Sequence, residues 1–108
     1  MRRFASLTRQ ADFARLRRRG KRVSTKSLVI YRSDPLPSDP ISLVGITVSK
    51  SIGKAVTRNK LRRRLAAIID EALGRSRSMR LLVVARPGCA EVPFGSLRAE
   101  VALAMERA

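Results

Sequence analysis

The chain has 108 residues, enough for one domain with a single modest core, and at 44% hydrophobic it can fold rather than remain a disordered tail. Charge is the outlier: 24 Lys and Arg against 8 Asp and Glu leave a net +16, a self-repelling field to be matched by a polyanion, nucleic acid first and an anionic membrane surface second. The absence of histidine and the lone Cys89 exclude histidine-based proton transfer, an internal disulfide and a cysteine-based zinc site.

The longest unbroken apolar runs, Leu65–Ile69, Leu81–Ala85 and Val101–Met105, are too short to cross a bilayer. Met1-Arg2-Arg3 resembles the start of a signal peptide, but no apolar segment of the needed length follows. A soluble, cytoplasmic protein with no membrane association is expected. The sequence leaves open whether Met1 to Ser6 is ordered without a partner.

Residues Thr8 to Arg19 read as a first helix, with Thr8 at the N-cap position and Gly20 closing it. Val23 to Tyr31 has β-branched and aromatic character and reads as a strand, or as two if it splits at a bend. Ser33 to Pro40 holds three of the five prolines and reads as a loop, in the manner of a hairpin connection. Leu43 to Ser49 follows as a strand. From Ala55 to Leu73 the pattern is helical, with Leu61, Leu65, Ile68 and Ala72 on one stripe and Gly74 suited to a left-handed cap. Arg80 to Arg86 reads as a buried strand broken by Pro87-Gly88. Phe94 to Arg107 returns to helix, with Leu97, Val101, Ala102 and Met105 on one side. The sum is an α+β sandwich in one domain spanning 1–108, a small sheet covered by helices.

The segment from Ser49 to Leu65 concentrates positive charge in the first half of the long helix and the loop before it. Arg58 and Arg62 stack along one flank of the apolar stripe; Lys60, Arg63 and Arg64 lie on the other side, with Asn59 between. Arginine offers a planar fork that holds phosphate through two hydrogen bonds, and Lys50 and Lys54 add point charges from the loop. A membrane-surface helix fits less well, since the only aromatics are Phe4, Phe13, Tyr31 and Phe94. Phe13, followed by Arg15 and Arg17 to Arg19, and Tyr31, beside Arg32, either fill the core between helix and sheet or form a stacking surface for single-stranded RNA.

Other constellations are weak. Asp34 and Asp39 share the proline-rich loop, where Asp before Pro commonly serves turn geometry rather than a metal. Cys89 lacks a histidine partner and reads as packing, and Asp12, Glu91, Glu100 and Glu106 show no pairing suited to acid–base work. No catalytic residue and no metal ligand is expected in the protein itself.

The run Lys50-Ser51-Ile52-Gly53-Lys54-Ala55-Val56-Thr57-Arg58-Asn59-Lys60-Leu61-Arg62-Arg63-Arg64-Leu65 closely resembles the signature of the bacterial ribonuclease P protein subunit, centred on its Arg-Asn-Arg-type element. Leu7 to Gly20 is similar to that family's opening helix, with Asp12-Phe13 in place, and Leu82 to Gly88 to its final strand and exit. The resemblance implies an α-β-β-β-α-β-α two-layer sandwich on a small mixed sheet, with a left-handed crossover through the basic helix. It implies a subunit that binds a catalytic RNA and the single-stranded 5′ leader of precursor tRNA, while RNA-held magnesium performs the hydrolysis. No cofactor bound by the protein alone and no protein partner are implied.

Carried onto this chain, Lys50, Lys54, Arg58, Asn59, Lys60, Arg62 and Arg63 would contact the RNA subunit, and Phe13, Arg17 and Tyr31 the leader. Two departures stand out. Arg17 occupies a place that is often a second aromatic, and Lys60 keeps the charge of the element's second arginine without its fork. A ribosome-associated or general RNA-binding protein is the alternative. A DNA-binding helix-turn-helix is disfavoured, because no second helix stands three or four residues from the basic one.

Overall fold

The computed structural model describes residues 2–107; Met1 lies outside them. In chain order the elements are β1 (Phe4–Ser6), α1 (Gln10–Arg19), β2 (Lys21–Ser24), β3 (Leu28–Ser33), β4 (Ser42–Thr47), α2 (Ala55–Leu73), β5 (Arg80–Ala85) and α3 (Phe94–Arg107). Single 3-10 turns at Lys50–Ile52 and Cys89–Glu91 lead into α2 and α3. The five strands form one mixed sheet in the order β1-β4-β5-β3-β2, with β1, β4 and β5 parallel and β3 antiparallel to both β5 and β2. The expected α+β sandwich on a small mixed sheet is present.

Side-chain alternation along the strands builds two apolar clusters. Ile30, Val44, Leu81 and Val83 face the layer formed by α2 and α3, meeting Leu61, Leu65, Ile68, Ile69, Leu97 and Val101. Each buried Leu or Ile contributes about 1.5–3 kcal/mol relative to exposure. On the opposite face Leu82 packs with Leu7 and Leu16 beneath α1, with Phe13, Tyr31, Leu43 and Val84 half-buried around them. β5, apolar toward both faces, is the central strand, as a continuous Leu-Leu-Val-Val-Ala run requires.

Several boundaries differ from the sequence expectation. A strand, β1, precedes the first helix: its ladder with Ser42–Val44 continues into a Leu7 N–H bond to the Val44 carbonyl. That bond keeps the chain extended past Thr8, so α1 starts at Gln10 with Arg9, not Thr8, at the cap, and without a side-chain cap bond. The 23–31 stretch splits at 25–27, where the Glu100 carboxylate accepts bonds from the Thr25 hydroxyl (2.7 Å), the Ser27 N–H (2.8 Å) and the Ser27 hydroxyl (2.8 Å). The 33–40 loop is not a hairpin connection, because β5 lies between β3 and β4.

Gly74 is right-handed (φ −62°), its N–H reaching the Glu71 carbonyl, so no left-handed cap forms. Ala72 is only half-buried and Ala102 is exposed, whereas Ala66 and Ala104 are buried. In α3 the spacing 97, 101, 104 keeps one line, and 102 falls about 100° away from 101.

Candidate nucleic-acid interface

β1 pairs with β4 only as far as Val44, leaving Gly45 to Thr47 beyond the ladder at the sheet's edge. There a cleft of about 740 Å³ opens between the edge, α1 and the first half of α2. Its lining takes Phe13 from α1, Gly45 and Ile46 from β4, Val56, Asn59, Arg62 and Arg63 from α2, and Arg2 and Phe4 from the start of the chain. The spacing 56, 59, 63 and 66 follows one helical flank, and Val56 stands 79% exposed at its start. Apolar walls rimmed by cations suit a nucleotide, whose base is flat and apolar and whose phosphate is charged.

This arrangement corrects the wheel drawn from sequence. Arg62 lines the cleft together with Arg63, expected on the other side of the helix, and with Asn59, expected between the two basic sets. Arg62 donates from Nη1 to Asn59 Oδ1 (2.8 Å) and from Nη2 to the Val48 carbonyl (3.4 Å), bracing the chain as it leaves β4. Arg58 lies outside this lining and is half-buried; its Nε is shielded from solvent without a hydrogen-bond partner among the described residues. Lys50, Lys54 and Lys60 are exposed, Lys50 in the first 3-10 turn and Lys54 at the cap of α2, where its carbonyl accepts the Arg58 N–H.

Phe13 and Tyr31 share the α1 face of the sheet. Cross-strand register runs Gly45 to Leu82 to Tyr31, so two strand spacings separate the Phe13 site from Tyr31. Both rings are half-buried, packing below and exposed above. Phe13 joins the cleft with Asn59, Arg62 and Arg63; Tyr31 does not line it, and Arg17 is exposed on α1 outside it. Arg2 and Phe4 were missed by the sequence reading. Arg2 stands 5.4 Å from the Phe4 ring centroid, a cation–π contact whose signal was their closeness in a segment whose order the sequence left open.

Most of the carboxylates are engaged by the protein itself. Arg80 holds Asp39 through Nε (2.8 Å) and Nη2 (3.0 Å) and Asp12 through Nη1 (3.0 Å). Its hydrogen bonds bring the Asp39 carboxyl down to about 2, and Asp39 in turn raises Arg80. Asp39 also accepts the Leu36 N–H (2.9 Å), so it serves the turn expected of it and an ion pair besides. Asp70 accepts from the Arg3 N–H (2.6 Å), and Glu71 pairs with Arg98. Burial pushes Glu100 up, but the Thr25 and Ser27 bonds outweigh it and leave the group lowered. Burial lifts the Cys89 thiol to about 11.

Fold and site together define a class: a small, strongly basic α+β protein that offers its ligand cations and aromatic surface. Sequence and structure comparisons place it further. The family model described as Ribonuclease P matches residues 1–108. The "Ribonuclease P protein component" of Acidothermus cellulolyticus is 37% identical over 95 residues, covering 87% of this chain and 79% of its own. The RNase P protein from Thermotoga maritima superposes with a TM-score of 0.82 at 25% identity, covering 96% of this chain and 97% of its own. The Staphylococcus aureus RNase P protein gives 0.84 at 22% identity, over 94% and 93%. The chain belongs to the ribonuclease P protein family.

Proposed function

We propose that this chain acts as the protein subunit of a bacterial ribonuclease P, binding the ribonuclease P RNA and the 5′ leader of precursor tRNA in the cytoplasm. The single observation that carries this reading is the cleft at the sheet's edge whose lining joins Phe13 of α1 with Asn59, Arg62 and Arg63 of α2. It suits a single strand whose base meets the ring while its phosphate, or that of a second RNA, meets the arginines. Lys50, Lys54, Arg58, Lys60 and the outer side of Arg63 supply further phosphate contacts to the RNA subunit, and Tyr31 and Arg17 extend the leader surface. Among the described residues no helix is long and apolar enough to cross a membrane.

Hydrolysis is assigned to the RNA and its magnesium ions. The donor set supports this: Asp12 and Asp39 are held by Arg80, Asp70 by Arg3, and Glu100 by two hydroxyls and an N–H. The protein's part is electrostatic. Its +16 lowers the repulsion between two RNAs and with it the divalent-ion concentration that cleavage needs. The test is precursor-tRNA cleavage by a bacterial ribonuclease P RNA at low magnesium, with and without this chain. Stimulation yielding a mature 5′ end supports the subunit role. RNA binding without stimulation overturns it in favour of a general RNA-binding protein.

A further inference from the structure

Arg80 stands on the α1 face of the central strand, in line with Leu82 and Val84, and is buried there. Two of its three nitrogens go to one carboxylate: Nε (2.8 Å) and Nη2 (3.0 Å) both donate to Asp39. Asp39 itself accepts the Leu36 N–H (2.9 Å), so the plane of the guanidinium is set by the 33–40 loop. The remaining nitrogen, Nη1, reaches Asp12 Oδ1 (3.0 Å) in the first turn of α1. That helix has little else to fix its rotation. Its start carries no side-chain cap bond, and the residue it buries is Leu16, an apolar contact without direction. Asp12 and Phe13 are consecutive, about 100° apart around the axis, so a bond that fixes one fixes the other. Phe13 in turn lies on Gly45, where a Cβ would stand 2.6 Å from Cε1 of the ring.

We propose that Arg80 is a positioning residue for the cleft: through Asp12 it sets the rotation of α1 and thereby holds the Phe13 ring over Gly45. This role rests on the reading of Phe13 as a leader contact and concerns what places the ring, not what the ring binds. The lever is short. A side chain about 6 Å from a helix axis moves about 2 Å for a rotation of about 20°, enough to undo a stacked contact. Packing alone gives no reason for a cation at this place. An apolar side chain of similar volume would fill the space under α1 without taking a charge out of water, and such replacements are often neutral or stabilising. What it would lack is direction: a planar fork held through two nitrogens points its third at one place. Arg80 lies outside the lining of the cleft and acts through Asp12.

Removing Arg80 would strip two carboxylates of their partner, so the test cuts the bond from the Asp12 side and leaves the Arg80–Asp39 pair intact. Asp12→Ala removes the acceptor; Asp12→Asn makes the same change of charge but keeps an oxygen for Nη1. The first readout is the Gly45 Hα chemical shift in the free chain, because one Hα points at the Phe13 ring and feels its ring current. The second is equilibrium binding of precursor and mature tRNA to the enzyme assembled with a bacterial ribonuclease P RNA. Asp12→Ala is expected to move the Gly45 shift toward its value in Phe13→Ala. It is also expected to lower the preference for precursor about threefold, part of the roughly tenfold that a lost stacked ring costs. Asp12→Asn is expected to restore both. Electrostatics alone predicts otherwise, since loss of a carboxylate strengthens binding of both RNAs, and equally in the two variants. A general loss of stability predicts a lower melting temperature with the precursor preference unchanged. A Gly45 shift unmoved in Asp12→Ala, an unchanged precursor preference, or an Asn variant that behaves like the alanine overturns the proposal while the leader reading stands. If Phe13→Ala itself leaves the preference unchanged, the leader reading falls and this role with it.

Discussion

Gly45 and Phe13 share one space: a Cβ built on Gly45 would stand 2.6 Å from Cε1 and 2.9 Å from Cζ of the Phe13 ring. The ring thus lies directly on β4 backbone at the mouth of the cleft, with Leu82 beside it. The obstructing atoms are the far end of a side chain, which can swing outward. Gly45→Ala is therefore expected to fold with a melting temperature within a few degrees of the parent while displacing the ring. Base stacking on an aromatic is worth about 1–3 kcal/mol, so the preference for precursor over mature tRNA should fall about tenfold. An equal loss on mature tRNA would show that the ring only fills space.

Arg58 and Arg62 should respond in opposite ways to removal. The Arg58 Nε is a buried donor without a hydrogen-bond partner among the described residues, a state that costs about 1–3 kcal/mol, so Arg58→Met is expected to leave thermal stability unchanged or raise it. Arg62 bonds Asn59 and the Val48 carbonyl, so Arg62→Met should lower it. The two together should weaken binding to the RNA subunit and flatten its salt dependence by about 1.4–1.8, at about 0.7–0.9 per phosphate contact. An unchanged slope would place both residues away from the RNA.

Asp39 makes stability depend on pH in the acid range. Its folded pKa is about 2 against an ordinary 3.8, so between these values the unfolded chain binds more protons than the folded one. The pair's contribution is complete above about pH 4 and is lost as the pH falls toward 2. Denaturant titrations from pH 6 to 2 should show that loss, and Asp39→Asn should be less stable at pH 6 and flatter across the window. Arg80→Ala should cost more than about 10 °C in melting temperature, since it leaves two carboxylates without their shared cation. A melting temperature unmoved by Arg80→Ala would mean that the pairs merely offset their own desolvation.

Cys89 is fully buried, and its thiol is raised to about 11 by that burial. Thiolate is the reactive form, so a neutral-pH thiol reagent should modify the native protein only at the rate of unfolding and the denatured protein at once. Fast reaction in native buffer would show that the packing around α3 opens.

How much was legible in the sequence follows from the range of the forces involved. α2 from Ala55 to Leu73 and α3 from Phe94 to Arg107 were readable to their ends, because helical periodicity and the breakers that bound it are local. The apolar run of β5, the basic first half of α2 and the family signature were readable for the same reason. β1 was not: three residues of ordinary composition become a strand only because Ser42–Val44 lies beside them. Asp39 and Asp12 read as loop and helix carboxylates, and their partner Arg80 is 41 and 68 residues away.

The sequence by itself determined the charge, the helices, the lack of a histidine-based catalytic centre and the family, all properties of composition or of neighbouring residues. Only the tertiary structure decided that β5 enters between β3 and β4, that Phe13 rests on Gly45, and that Phe13, Asn59, Arg62 and Arg63 line one cleft. Strand order and sheet register couple residues tens of positions apart through packing and ladder hydrogen bonds, and no local pattern carries that pairing.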